Sequence, residues 1–193
     1  MIAIIKYNGG NVNSVQNALK RLNVDSVITD DPEQILKADK VIFPGVGEAS
    51  STMKLLKEKK LDLLIPNLKQ PVLGICLGMQ LMCNGNEEGN TQGMGIFDIE
   101  VRKFPTRDIV PHMGWNTVSG NDFPLFSGIE KESDLYFVHS YYCELSDFTT
   151  SVCDYILPFS ASLQKDNFYA VQFHPEKSGN TGSQIIRNFI HLS

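Results

Sequence analysis

The chain has 193 residues, 42% of them hydrophobic, and a formal net charge of -5. That length buries a sizeable core within one domain spanning residues 1–193, and the acidic balance argues against a nucleic-acid partner, whose phosphates reward clustered cations. No apolar run approaches the ~20 residues of a membrane span and no basic leader opens the chain, so a soluble cytoplasmic protein is expected.

Residues 1–5 form a compact apolar strand that ends in the polar turn Lys6-Tyr7-Asn8-Gly9-Gly10. Val12, Val15, Leu19 and Leu22 then recur at close to helical spacing, with Asn11 placed as a cap. Ser26-Val27-Ile28 and Val41-Ile42-Phe43 read as two further strands, the second running into the turn Pro44-Gly45-Val46-Gly47. Residues 52–60 read as a helix whose Lys54, Lys57, Lys59 and Lys60, interrupted by Glu58, mark a solvated face; Pro66 ends the segment that follows. Val72, Leu73 and Ile75 make the next strand, and residues 77–82 continue as a helix. Strands alternating with helices predict an α/β fold, a mostly parallel sheet flanked by helices.

The second half is richer in strands. Ile96, Ile99, Val101 and Phe104 lie in one extended segment, and Tyr136-Phe137-Val138 leads into His139-Ser140-Tyr141. Residues 160–164 and 168–173 resemble a hairpin joined by Lys165-Asp166-Asn167. Ile185, Ile186, Phe189 and Ile190 form an apolar helical stripe suited to covering the sheet. The α/β core therefore carries additional antiparallel strands. Ligands of such sheets bind beyond the carboxyl ends of the strands, where the turns at Cys76 and at residues 44–47 both project.

Cys76 stands between an apolar run and a glycine, within Gly74-Ile75-Cys76-Leu77-Gly78-Met79-Gln80. A cysteine at a strand-to-helix turn sits near unpaired backbone N–H groups that attract negative charge. A lone cysteine here is more often a small buried thiol, but flanking glycines allow a sharp turn and close approach of a substrate, as around a nucleophile elbow. Cys143 and Cys153 read as core or semi-buried thiols, and the four cysteines lack tight metal-ligand pairing.

Phe173-His174-Pro175-Glu176 follows the apolar run Tyr169-Ala170-Val171. In an extended backbone positions two apart face the same way, so His174 and Glu176 are expected side by side. His174 then has the chemistry to take the Cys76 proton, and Glu176 to hold the ring in its useful tautomer.

These residues resemble the class I, triad-type glutamine amidotransferases, and most closely the glutaminase subunits of imidazole glycerol phosphate synthases. The resemblance covers essentially the whole chain, through Asn8-Gly9-Gly10-Asn11, Pro44-Gly45-Val46-Gly47, the Cys76 turn, Pro111-His112-Met113-Gly114-Trp115-Asn116 and the His174 segment. It implies that Cys76 attacks the side-chain amide of free glutamine, with His174 as acid and base and Glu176 orienting it. It further implies oxyanion donors in Gly45, Val46, Gly47 and Leu77, and contacts to glutamine from Gln80, Glu88, Ser140 and Tyr141. By composition alone, Glu87-Glu88 is a solvated turn and Ser140-Tyr141-Tyr142 a packed strand end. The implied partner is a separate (β/α)8 cyclase that receives the ammonia, with His112, Met113, Gly114, Trp115 and Asn116 near the interface and Lys177 coupling the two sites. Trp115 fits an aromatic anchor or a core residue equally well.

Two segments depart from the family pattern, Tyr7-Asn8-Gly9-Gly10 and Cys83-Asn84-Gly85-Asn86. They leave open a glutaminase that feeds a different synthase; a noncatalytic interaction subunit that retains the triad is a separate alternative. His112, His139, His174 and His191 form no compact metal motif, and neither a P-loop nor a dinucleotide fingerprint is present. No metal or organic cofactor is expected.

Overall fold

The structure is a computed structural model that describes residues 1–7, 11–120 and 123–192. The expected turn at Asn8-Gly9-Gly10 lies outside the described residues. The chain begins with β1 (Ile2–Ile5), α1 (Val12–Arg21), β2 (Ser26–Thr29), α2 (Pro32–Lys37) and β3 (Lys40–Gly45). It continues with α3 (Ala49–Glu58), α4 (Leu61–Leu64), β4 (Val72–Cys76) and α5 (Leu77–Met82). Short strands β5 (Cys83–Asn86) and β6 (Thr91–Gln92) precede β7 (Phe97–Lys103), β8 (His112–Ser119) and β9 (Glu132–His139). The last elements are β10 (Tyr141–Cys143), β11 (Thr149–Asp154), β12 (Pro158–Lys165), β13 (Phe168–Val171) and α6 (Gly179–His191). Among the described residues no helix is long and apolar enough to cross a membrane.

The main sheet has the order β2-β1-β3-β4-β13-β12-β11-β8-β9. Its pairings are parallel from β2 to β13 and antiparallel from β13 to β9, so the antiparallel part is as long as the parallel one. Strand alternation splits the core in two. Ile2 and Ile4 of β1 face Val15 and Leu19 of α1 and Ile185 and Phe189 of α6. Ala3 and Ile5 face the cluster containing Ile35, Met53, Leu56 and Leu61 from α2, α3 and α4. A strand covered on both faces needs no polar positions, which is why β1, β3 and β4 read as unbroken apolar runs.

Residues 160–164 and 168–173 do pair as an antiparallel hairpin, with Ser162 opposite Val171 and Lys165 opposite Phe168. A second sheet, β10-β7-β5-β6, was not legible. Its strand β5, Cys-Asn-Gly-Asn, has no apolar alternation and is recruited by β7 with a register shift after Cys83. His174 and Glu176 also differ from expectation, because Pro175 opens a 3-10 turn (Pro175–Lys177) in place of extended chain. Asn11 occupies the N-cap position of α1 but makes no side-chain cap hydrogen bond. Its side chain is drawn elsewhere.

Candidate active site

Cys76 ends β4 and starts α5, at the strand ends where β3 lies alongside with Gly45 opposite it. Its backbone takes φ 52° and ψ -108°, a strained conformation for a residue with a Cβ. Two glycines let α5 press against β3 and hold the turn: a Cβ on Gly45 would come within 2.5 Å of the Gly78 nitrogen, and one on Gly78 within 2.0 Å of the Phe43 carbonyl oxygen. The result is a Cys76 that is 7% exposed, at the wall of a cavity of about 330 Å³. That volume lies at the small end of the ~300–1,000 Å³ typical of small-molecule sites. Val46, Gly47, Leu77, Gln80, Glu88 and Tyr141 are among its lining residues.

His174 is fully buried, and its position is set by β9: its N–H donates to the Tyr136 carbonyl at 2.8 Å. The Ser178 hydroxyl bridges the same two residues, donating to the His174 carbonyl at 2.7 Å and accepting from the Tyr136 N–H at 2.9 Å. On the ring, Nδ1 meets Glu176 Oε1 at 2.8 Å, and since a carboxylate only accepts, Nδ1 carries a proton. Nε2 is buried with no hydrogen-bond partner. Burial opposes a charged imidazole, but an anionic Cys76 sulfur and the Glu176 carboxylate beside it together push the His174 pKa up to about 10.

The side chain of Asn11 donates its amide to Glu176 Oε1 and lies 3.4 Å from His174 Nδ1. Sequence reasoning assigned it only to capping. Tyr7 was also missed: its hydroxyl donates to the Pro44 carbonyl at 2.6 Å and braces the turn beside Cys76. Burial and the Cys76 charge raise its pKa, and a hydrogen bond from the Val46 N–H opposes them. Val46, expected as an oxyanion donor, lines the cavity, and Gly47 beside it sits at φ +126°.

Gln80 is 4% exposed and heavily bonded inside the protein. Its Nε2 donates to the Tyr141 carbonyl and to Gln172 Oε1, both at 3.0 Å, and its Oε1 accepts from Asn86 Nδ2 at 3.3 Å. Glu88 is half-buried, with one oxygen accepting the Ala49 N–H at 2.8 Å. Burial raises its pKa, the Ala49 N–H lowers it, and Glu48 raises it further. Ser140 and Tyr141 also line the cavity.

The residues expected at a partner interface divide by strand alternation in β8. Met113 and Trp115 are 63% and 57% exposed, which excludes the core reading of Trp115. Gly114 lies between them at φ +135° with nothing within 4 Å of a Cβ position. Trp115 meets the Tyr136 ring edge-on at 6.1 Å, and the Lys177 ammonium lies 5.9 Å from that ring. His112 turns inward instead. It stacks on Tyr155 at 4.1 Å and bonds through Nδ1 to His139 Nε2 at 3.0 Å, while Asn116 donates to its Nε2 at 3.3 Å. Burial lowers the pKa of His112 to about 4 and that of His139 to about 3.

Cys76, on a strained strand-helix turn, lines the cavity, and His174, held by the Glu176 carboxylate, is buried behind that lining. The chain belongs to the class-I glutamine amidotransferase family, whose model matches residues 3–192. It is 59% identical to the imidazole glycerol phosphate synthase subunit HisH of Bacteroides fragilis strain YCH46, over 99% of each chain. It is 45% identical to the HisH subunit of Vibrio cholerae serotype O1, over 99% of this chain and 98% of that one. Its fold is similar to that of a glutamine amidotransferase from Thermotoga maritima, with TM-score 0.65 and 18% identity over 98% of this chain and 81% of that one.

Proposed function

We propose that this chain is the glutaminase subunit of an imidazole glycerol phosphate synthase, hydrolysing glutamine and passing ammonia to a separate (β/α)8 cyclase in histidine biosynthesis. The observation that carries the reaction is the buried His174–Glu176 pair beside Cys76 at the cavity wall. The Cys76 sulfur adds to the amide carbon of glutamine as its proton passes to His174 Nε2. That proton then goes to the departing ammonia, leaving a γ-glutamyl thioester. Water activated by the same nitrogen adds to the thioester, and glutamate leaves as the sulfur is released. Developing oxyanion charge calls for N–H donors. Leu77, next to the nucleophile along the chain, offers its N–H, and the Val46 N–H joins it after a peptide rotation of the kind that Gly47, at φ +126°, permits. Glu88 meets the α-ammonium of glutamine, while Gln80 acts by holding the Tyr141 carbonyl at the cavity wall.

The exposed Met113 and Trp115, with Lys177 beside Tyr136, form the face covered by the cyclase. His112 and Asn116 support that face from beneath. The protein works in the cytoplasm with its partner. Mixing the purified chain with the cognate cyclase, glutamine and the phosphoribulosyl-formimino aminoimidazole carboxamide nucleotide tests the reading. Imidazole glycerol phosphate and aminoimidazole carboxamide ribonucleotide are expected. Their absence from a folded complex whose cyclase works with added ammonia refutes it.

A further inference from the structure

A file of buried carboxamides runs from the nucleophile to the cavity wall. Gln172 lies just beyond β13, fully buried, two residues from His174 along the chain. Its Nε2 lies 3.5 Å from Cys76 Sγ and its Oε1 accepts from Gln80 at 3.0 Å. The direction of every amide in the file is forced from its far end. The Glu88 N–H can only donate, so Asn86 presents its oxygen to it at 2.8 Å and its nitrogen to Gln80 Oε1. The Tyr141 carbonyl can only accept, which again turns the Gln80 nitrogen outward, toward Tyr141 and Gln172. Gln172 must therefore offer oxygen to Gln80 and N–H to the sulfur.

We propose that Gln172 is a further catalytic residue, its N–H stabilising the Cys76 sulfur whenever that sulfur carries negative charge. Two such moments occur: when the proton has passed to His174, and when sulfur is expelled from the thioester. Gln172 transfers no proton itself. A neutral N–H donor suits both, since it favours the anion without competing with His174 for the proton. The Cys76 thiol also meets His174, and it donates to the Val138 carbonyl at 3.8 Å, an acceptor that offers an anion nothing. The inference rests on the glutaminase reading for its catalytic consequence, but the contact to sulfur is testable without glutamine.

The test is the pH dependence of Cys76 alkylation by iodoacetamide, located by mass spectrometry, for the unaltered chain and for Gln172→Met and Gln172→Leu. Titratable groups around this sulfur are His174 and Glu176 from the C-terminal segment, Tyr7 from the end of β1, His139 from β9 and Cys143 from β10. None is altered by these substitutions. Removing the donor moves the alkylation midpoint up by about one pH unit, a tenfold smaller anionic fraction at a given pH. In the complex with the cyclase, kcat for glutamine falls about tenfold while KM stays within about twofold. A midpoint and kcat unchanged in a folded variant overturn the proposal, because a purely structural Gln172 changes melting temperature and not the midpoint. Should both variants fail to fold, the 15N side-chain amide signal of Gln172 in the unaltered protein gives the answer. It titrates with the Cys76 alkylation midpoint if the contact is real, and does not move if it is absent. An altered midpoint together with no glutamine turnover by the unaltered complex supports the contact and counts against the glutaminase reading.

Discussion

Two substitutions at Glu176 separate the charge of the carboxylate from its role as an acceptor. Both the His174 Nδ1–H and the Asn11 amide converge on Oε1, while Oε2 is buried without a partner. In Glu176→Gln the remaining carbonyl takes the Oε1 position, so both donors stay satisfied and His174 keeps its tautomer; only the charge is lost. A charge-assisted hydrogen bond exceeds a neutral one by roughly 1–2 kcal/mol, and taking about 2 kcal/mol for this buried pair slows kcat ~30-fold. Glu176→Leu removes the acceptor as well. It orphans two buried donors and frees the ring, costing ~3–5 kcal/mol and at least ~100-fold in kcat. Neither His174 nor Glu176 is among the residues lining the cavity, so KM for glutamine stays nearly constant in both. The assay is steady-state glutamate release by the complex with the cyclase. Equal rates for the two variants, or a Gln variant as fast as the parent, refute the argument.

Stability between pH 7 and 5.5 tests the buried histidine pair. The pKa values of His112 and His139 are lowered to about 4 and about 3, so only the unfolded chain takes up protons as pH falls through ~6.5, and stability present above that pH is lost below it. The raised His174 acts with the opposite sign and offsets part of this, leaving a fall of roughly 1–2 kcal/mol in urea unfolding; a flat profile contradicts the burial of the pair. Tyr7→Phe deletes the 2.6 Å bond to Pro44 and leaves a buried carbonyl short of its donor, costing about 1 kcal/mol and lowering the melting temperature by roughly 2–4 °C in calorimetry. Gly78→Ala drives a Cβ to within 2.0 Å of the Phe43 carbonyl, so α5 must leave β3. Loss of Cys76 alkylation selectivity and destabilisation of ~3 kcal/mol or more follow, and a variant of normal stability shows that the turn is looser than described.

The strands that carry the site were legible because burial on both faces writes itself as unbroken apolar runs, in β1, β3 and β4. Cys76 was legible because Gly74 and Gly78 flank it. His174 and Glu176 were paired correctly although the local geometry differed, since a 3-10 turn beginning at Pro175 brings them together as well as an extended chain does. What escaped were polar side chains whose partners lie far along the chain. Asn11 looks like a cap because its partners stand 163 and 165 residues away. Gln172 reaches Cys76 across 96 residues, and the one local signal was its two-residue spacing from His174. Residues 112–116 were all expected near the interface, yet strand alternation sends His112 to the core while Met113 and Trp115 face outward.

The most direct test of the account is Cys76→Ala in the complex with the cyclase, assayed with glutamine and then with ammonium salts. Glutamine-dependent formation of imidazole glycerol phosphate is lost while the ammonia-dependent reaction continues. Normal glutamine-dependent turnover by that variant contradicts the central claim that Cys76 carries the acyl group.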